Sequence, residues 1–226
     1  MSEMLAAVPA IDAEEMRDAA RRLLADRVDR RDPYAEPPRD GSAALFASMA
    51  ELGWTLMAAT EALGGLGPSF AALAPIYEEM GKAMSPVALF PSLASLELLT
   101  LERASSDARA CAARVAGGDA QVAVAIVGRD TIGVTDGRLN GTLPAVPADA
   151  GTSHILLLVE GDAPAAWLID LAASGVAVDR PEMWDRSRPV IDVALDGAAG
   201  HPVLGAGVAD AIARVRAHLD LALAWD

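Results

Sequence analysis

Apolar residues in the first half of the chain recur at three- and four-residue spacing, which is typical of amphipathic helices. The clearest stripe consists of Leu73, Ile76, Tyr77 and Met80. Asp12 is a predicted N-cap for the first helix, and the proline-containing stretch 31–41 predicts a loop. The predicted helices cover residues 11–30, 42–53, 69–84, 91–101 and 107–115. Residues 1–119 are therefore predicted to form an all-helical domain.

After residue 119 the apolar residues no longer recur at helical spacing. The run Val122–Val127 is continuously apolar and has the length of a strand. The pair Asp136–Gly137 separates two short runs and predicts a hairpin, because these residues tolerate the positive φ of a type I′ turn. Further strands are predicted over 154–159, 165–170, 176–179 and 190–195. Residues 120–204 are therefore predicted to form a small antiparallel β domain.

One more helix is predicted before the last residue, after Gly205 and Gly207. Its apolar stripe needs a surface to pack on, and we expect a further segment or another chain to supply it. The stripe consists of Val208, Ile212, Val215, Leu219 and Leu223. Since helices and strands occur in separate runs, the predicted fold class is α+β. It comprises an all-α N-terminal domain (1–119), the β domain (120–204) and a single C-terminal helix (205–226).

Charge narrows the range of partners. The chain carries 18 basic and 32 acidic residues, a formal net charge of −14. Nucleic acids and anionic membrane surfaces are bound through cationic faces, so neither is an expected partner. No run of about 18 apolar residues predicts a transmembrane helix. We therefore expect a soluble, helix-rich protein.

The residues that most often carry chemistry form no convincing constellation. The single cysteine, Cys111, excludes an internal disulfide framework and favours a reducing cytoplasm. Its helical, alanine-rich surroundings indicate a small buried side chain rather than a nucleophile. His154, His201 and His218 lack the spacing of metal ligands. Glu78, Glu79 and Glu97 fall on predicted helices and are interpreted as surface charges. We predict no catalytic residue and no metal site.

Three stretches resemble the acyl-CoA dehydrogenase family. The first combines Leu45–Trp54 with Glu61–Gly67, which contains Gly64-Gly65-Leu66-Gly67. The second is the helix Tyr77–Pro86. The third pairs Leu139–Thr142 with Trp184–Val190 and is the weakest of the three. The likeness in order and spacing extends over nearly the whole chain.

The resemblance implies a helical domain, a β domain and a C-terminal four-helix bundle, with FAD as cofactor and an acyl-CoA thioester as substrate. It also implies a homo- or hetero-oligomer. In the family reaction a carboxylate removes the α proton while a hydride passes from the β carbon to the flavin. The acyl pocket of the family corresponds here to Ser92, Leu93, Ser95 and Leu96, although core packing explains these residues at least as well.

The departures from the family concern the flavin. The threonine-rich loop after the first strand of the β domain is absent between Val127 and the hairpin. An aromatic residue and a threonine usually touch the flavin ring, but this chain has Leu143–Pro147 there. The bundle that supplies the glutamate base in the family would begin with the last predicted helix.

Two functional hypotheses follow. In the first, the chain is part of an acyl-CoA dehydrogenase-type oxidoreductase, inactive by itself. In the second, it is a non-catalytic partner subunit or degenerate remnant that scaffolds a flavin-bearing homologue. An unrelated binding module ranks last, because the ordered match would then be chance.

Overall fold

A computed structural model describes residues 12–29, 31, 34, 41–65, 67, 70–85, 89–205 and 207–225. Five helices precede the strands and one follows them, which confirms the predicted α+β fold class. The helices are α1 (Ala13–Arg27), α2 (Ser42–Glu51), α3 (Phe70–Ala83), α4 (Leu89–Leu99), α5 (Ser106–Ala116) and α6 (Val208–Trp225). Short 3₁₀ turns at Thr55–Met57 and Glu61–Leu63 connect α2 to α3.

Local signals fix several of these ends. Asp12 caps α1, because its Oδ1 accepts hydrogen bonds from the backbone N–H of Glu14 (2.8 Å) and Glu15 (3.4 Å). The predicted N-cap is thus confirmed. The predicted loop over 31–41 lies largely outside the described residues.

The glycine cluster before α3 has two separate roles. Gly64 and Gly67 adopt φ of 78° and 82°, in the left-handed region that glycine occupies without strain. Gly65 instead lies against backbone, and a Cβ there would collide with the carbonyl oxygens of Ala59 and Leu56. The positive φ predicted for this cluster is confirmed, and the close approach at Gly65 is an additional requirement.

Eight strands form two four-stranded sheets. The strands are β1 (Gln121–Gly128), β2 (Ile132–Thr135), β3 (Arg138–Pro147), β4 (Thr152–Glu160), β5 (Ala165–Asp170), β6 (Val176–Asp179), β7 (Val190–Ala199) and β8 (His201–Pro202). The first sheet has the order β1-β4-β5-β8 and the second β2-β3-β7-β6. All pairs are antiparallel except β1 with β4, which run parallel. The predicted hairpin is confirmed, with Asp136 and Gly137 both at positive φ.

The first sheet separates two hydrophobic cores. Alternate residues of β4 face opposite sides: Leu156 and Leu158 pack with the helices, whereas Ile155 and Leu157 pack against the second sheet. This alternation follows from the period of two along a strand. The molecule is therefore layered as helices, first sheet and second sheet.

The stripe of α6 finds its partner within the same chain. Val208, Ile212 and Val215 are buried in the core that α3 and α4 form, and Leu219 packs against it. Only Leu223, near the helix end, stays largely exposed. The expectation of an outside partner for this stripe is therefore wrong for the first turns of α6, since the helix folds back onto residues far earlier in sequence. The domain boundaries at 119 and 204 stay a prediction.

Candidate functional site

The four predicted pocket residues lie on α4. Ser92, Leu93, Ser95 and Leu96 are all fully buried. Helix α4 packs on β1 on one side and on α6 on another. The four side chains thus lie in the helical core, next to the first sheet.

The two serines of this group bond to backbone. Ser92 Oγ accepts a hydrogen bond from the N–H of Val122 (3.0 Å) and lies 3.4 Å from the Val122 carbonyl oxygen, to which it can donate. Ser95 Oγ donates to the carbonyl of Ser92 (2.7 Å). Because β1 is the edge strand of the first sheet, Ser92 satisfies a backbone group that has no neighbouring strand. That these residues line an acyl pocket stays a prediction.

A buried polar cluster, consisting of Tyr77, Glu97 and His218, lies between α3, α4 and α6. Tyr77 Oη is 2.8 Å from His218 Nε2, and Glu97 Oε1 is 3.9 Å from His218 Nδ1. The phenol ring of Tyr77 also packs edge-on against Phe90, with ring centroids 4.6 Å apart. Three titratable side chains from three helices thus meet inside the core.

Burial controls the protonation of this cluster. It lowers the pKa of His218 to about 4, because the imidazolium ion is poorly solvated there. Burial also raises the pKa of Glu97, against the opposing charge of Arg214. It raises the pKa of Tyr77 as well, with Glu97 adding to the effect. At neutral pH His218 is therefore an uncharged imidazole.

The interpretation of Glu79 and Glu97 as surface charges is wrong. Glu97 is covered by α6, and Glu79 is buried beneath Arg21 and Lys82, with which it forms ion pairs of 3.3 and 3.0 Å. The sequence contains one signal for a polar group in the core. His218 lies three residues after Val215, on the apolar stripe of α6, and this spacing predicts that its side chain is buried with the stripe.

A cleft of about 310 Å³ opens on the second sheet, across β3, β6 and β7. Asp179 of β6 and Asp192 of β7 are directly opposite in the strand register. Small and apolar side chains form most of the remaining wall. The lining residues are Thr142, Leu143, Pro144, Ala177, Val178, Asp179, Asp192, Val193 and Ala194. The cleft is thus apolar with two carboxylates at one side.

Comparison with known proteins supplies the family. Residues 11–110 match the model of the acyl-CoA dehydrogenase N-terminal domain. Residues 11–110, just under half of the chain, are therefore similar to that N-terminal domain. The resemblance inferred from the sequence is confirmed. No curated protein sequence matches the chain.

Solved structures extend the acyl-CoA dehydrogenase likeness beyond the N-terminal domain. A variant of the Tcur3481–Tcur3483 steroid ACAD is 26% identical, with a TM-score of 0.76 over 93% of this chain and 62% of that one. Glutaryl-CoA dehydrogenase from Mycobacterium smegmatis is 15% identical, with a TM-score of 0.77 over 98% and 62%. The ChsE4–ChsE5 complex from Mycobacterium tuberculosis is 17% identical, with a TM-score of 0.71 over 91% and 59%. The chain spans about three fifths of the length of these relatives.

The acyl-CoA dehydrogenase resemblance places the flavin ring near the end of β3, and the residues present there do not fit it. Ala145 adopts φ of 50° and donates its N–H to Asp192 Oδ1 (2.7 Å), so this donor is already used. Pro147 has neither an N–H nor a hydroxyl group. The nearby cleft adds two carboxylates, which cannot donate to the acceptor atoms of a flavin ring.

Two further candidate residues, Cys111 and His201, lie on α5 and β8. Cys111 is buried on α5, and burial raises the pKa of its thiol to about 11, so it stays protonated at neutral pH. His201 pairs with Asp107 at 3.2 Å on the surface. Within the described ranges no three His, Cys, Asp or Glu side chains converge as metal ligands would. None of the helices in the described part of the chain has the length and apolarity that a membrane crossing requires.

Proposed function

We propose that this chain works in an acyl-CoA dehydrogenase-like flavoprotein that dehydrogenates acyl-CoA thioesters between the α and β carbons, with FAD as electron acceptor. The observation that carries the proposal is the 26% identity and TM-score of 0.76 with a steroid ACAD over 93% of the chain. The matched N-terminal domain at residues 11–110 supports it. Such an activity belongs to lipid metabolism in the cytoplasm.

In that reaction, this chain is proposed to form part of the pocket that binds the acyl group of the substrate. Ser92, Leu93, Ser95 and Leu96 are the proposed wall of the acyl pocket, held rigidly between β1 and α6. No residue of the chain is proposed as the base. Because Ala145 and Pro147 offer no free donor to a flavin ring, we assign no step of the reaction to β3.

The test is flavin binding followed by reduction. The purified chain is mixed with FAD, separated from free flavin, and its visible absorption is recorded before and after addition of an acyl-CoA under anaerobic conditions. Stoichiometric yellow protein supports the proposal, and because the chain has no proposed base, its colour is expected to persist when the acyl-CoA is added. Protein that remains colourless at every FAD concentration contradicts flavin binding by the chain alone.

A second candidate function is favoured by two residues of β3: the N–H of Ala145 already donates to Asp192, and Pro147 has no N–H. In it, the chain is a non-catalytic subunit that pairs with a flavin-bearing homologue. Two of the similar structures, ChsE4–ChsE5 and Tcur3481–Tcur3483, are described as pairs of different proteins, which supports a hetero-oligomer. Mixing the chain with a complete family member tests it. Co-elution that retains flavin and contains both chains supports this candidate, and independent elution contradicts it.

A further inference from the structure

Helix α1 depends on a single neighbour. In the described part of the chain, α3 is the one element that α1 contacts extensively, whereas α4 packs on α5, α6 and β1. Ala20 and Leu24 are the only buried side chains of α1, whereas α4 buries residues 89 and 92–99. Because hydrophobic stabilisation grows with the apolar area removed from water, burial holds α1 less firmly than α4.

Charged side chains complete the contact between α1 and α3, here called the α1–α3 seam. Arg17 pairs with Glu78 at 3.3 Å. Arg21 has its Nε 3.3 Å from Oε2 of Glu79 and its Nη2 3.3 Å from Oε1, the bidentate geometry that strengthens an arginine–carboxylate pair. The Glu79 side chain is 5% exposed and that of Arg21 is 56% exposed, so dissolved salt reaches the pair from the Arg21 side.

Helix α3 also supplies a cation of its own to both carboxylates of the seam. Lys82 Nζ lies 2.7 Å from Glu78 Oε1 and 3.0 Å from Glu79 Oε1. These pairs lie four and three residues apart within α3, so they persist when α1 is absent from the seam. Breaking a buried ion pair is costly when it leaves an uncompensated charge, and Lys82 prevents that here.

The ends of α1 are specified by its own residues. Asp12 caps the start of the helix, and Arg27 lies in its last turn. Glu14 and Glu15 lie in the first turn, where negative charge is favourable to the helix dipole. None of these signals involves α3. Since helix formation is cooperative, α1 is expected to separate from α3 as one unit rather than residue by residue.

The contact of α3 with α6 lies elsewhere on α3. Tyr77 Oη is 2.8 Å from His218 Nε2 of α6. Tyr77 and Glu78 are consecutive residues, so their side chains point about 100° apart around the helix. Helix α3 therefore keeps its contact with α6 when α1 separates.

We propose that α1 is a strap that separates from α3 as a unit while the rest of the chain stays folded, and that the Arg21–Glu79 ion pair controls the size of the separated fraction. Each separation exposes Glu79 together with the apolar side of α3 that Ala20 and Leu24 cover. The strap responds to ionic strength and depends on neither flavin nor substrate.

Amide hydrogen exchange of the full chain, resolved by NMR, tests this proposal. The amides of α1 are expected to share one protection factor that is lower than those of α3 and α4, because they open without the rest of the molecule. Raising NaCl to about 1 M, where the Debye length falls to about 3 Å, should lower the protection of α1 about threefold to tenfold. The protection of α4 is the internal control and should not fall.

Two matched arginine variants isolate the ion pair. Arg21→Gln keeps a good helix former but removes the pair with Glu79, so it should lower the protection of α1 about fivefold and remove most of its salt dependence. Arg216→Gln removes the pair of 2.7 Å that joins α6 to Glu160 of β4. This control should leave the protection of α1 unchanged.

Three outcomes would overturn the proposal. One is equal protection in α1 and α4, because α1 would then open only when the whole molecule unfolds. Another is protection that rises steadily from one end of α1 to the other, which is fraying rather than separation as a unit. The third is an effect of Arg21→Gln on α1 that is no larger than that of Arg216→Gln.

Discussion

At the scale of single residues, the buried polar cluster of Tyr77, Glu97 and His218 places three titratable side chains inside the helical core. Burying titratable groups is tolerated only where they find partners, and here the phenol hydroxyl lies 2.8 Å from the imidazole. His218 and Glu97 respond to burial in opposite directions, since one is charged when protonated and the other when deprotonated. The cluster therefore links stability to pH.

The lowered pKa of His218 predicts acid lability. Its folded value is about 4 and its ordinary value 6.5, so the unfolded chain binds a proton that the folded chain does not. The contribution is fully present above pH 6.5 and is lost as pH falls to about 4, on the order of 3 kcal/mol in all. The raised pKa of Glu97 acts oppositely, because its contribution is present at low pH and lost as pH rises through its folded value.

Urea unfolding between pH 4 and 7.5 measures this dependence. His218→Gln should flatten the loss of stability on acidification, whereas Glu97→Gln should steepen it by removing the offsetting group. Leu52→Ala, at an exposed position that does not titrate, is the control and should show the wild-type slope. An unchanged slope in His218→Gln would show that other groups dominate acid unfolding.

At the scale of elements, the joint between α4 and β1 connects the helical layer to the first sheet. An edge strand leaves backbone groups without a neighbouring strand, and here helix α4 covers that edge. Ser92 connects the two elements by accepting a hydrogen bond from the N–H of Val122, whereas Ser95 hydrogen-bonds only within its own helix. Two serines three positions apart on one helix thus have different structural roles.

This difference predicts unequal substitution costs. Ser92→Ala leaves the buried N–H of Val122 without its acceptor and should lower the free energy of unfolding by about 1–3 kcal/mol. Ser95→Ala removes one donor to a carbonyl and should cost about 0.5–1 kcal/mol. Chemical denaturation of both variants measures the two values. Equal costs would mean that Val122 finds another acceptor, and the joint would then not depend on Ser92.

At the scale of the whole molecule, the first sheet is shared by the two hydrophobic cores. Leu156 and Leu157 are neighbours on β4, both fully buried, yet they pack into different cores. A strand that is buried on both faces cannot leave one core without exposing the other. The helical layer and the second sheet are therefore expected to unfold together.

Calorimetry of Leu156→Ala and Leu157→Ala tests this coupling. Each substitution should cost about 2–5 kcal/mol and lower the midpoint of one shared transition, because each leaves a cavity in a packed core. Leu52→Ala, at an exposed position, should change the free energy of unfolding by less than about 0.5 kcal/mol. Two separate transitions, each sensitive to only one variant, would show that the cores are independent.

Local chemistry determined much of this protein from the sequence alone. The apolar periods specified the helices and strands, Asp12 specified a helix start, and Asp136–Gly137 specified the hairpin, because each depends on residues close together in the chain. The family resemblance could likewise be inferred from short ordered motifs. The fold class could be predicted because the helical pattern and the strand pattern occupy separate parts of the chain.

Only the tertiary structure decided which side chains meet. Tyr77 and His218 are 141 residues apart, and nothing near either residue in sequence announces the other. The burial of Glu97 by α6, the parallel pairing of β1 with β4, and the bond from Ala145 to Asp192 arise in the same way. Long-range packing sets the environment of a polar group, and that environment determines whether it is a surface charge, a core partner or an obstacle to a flavin.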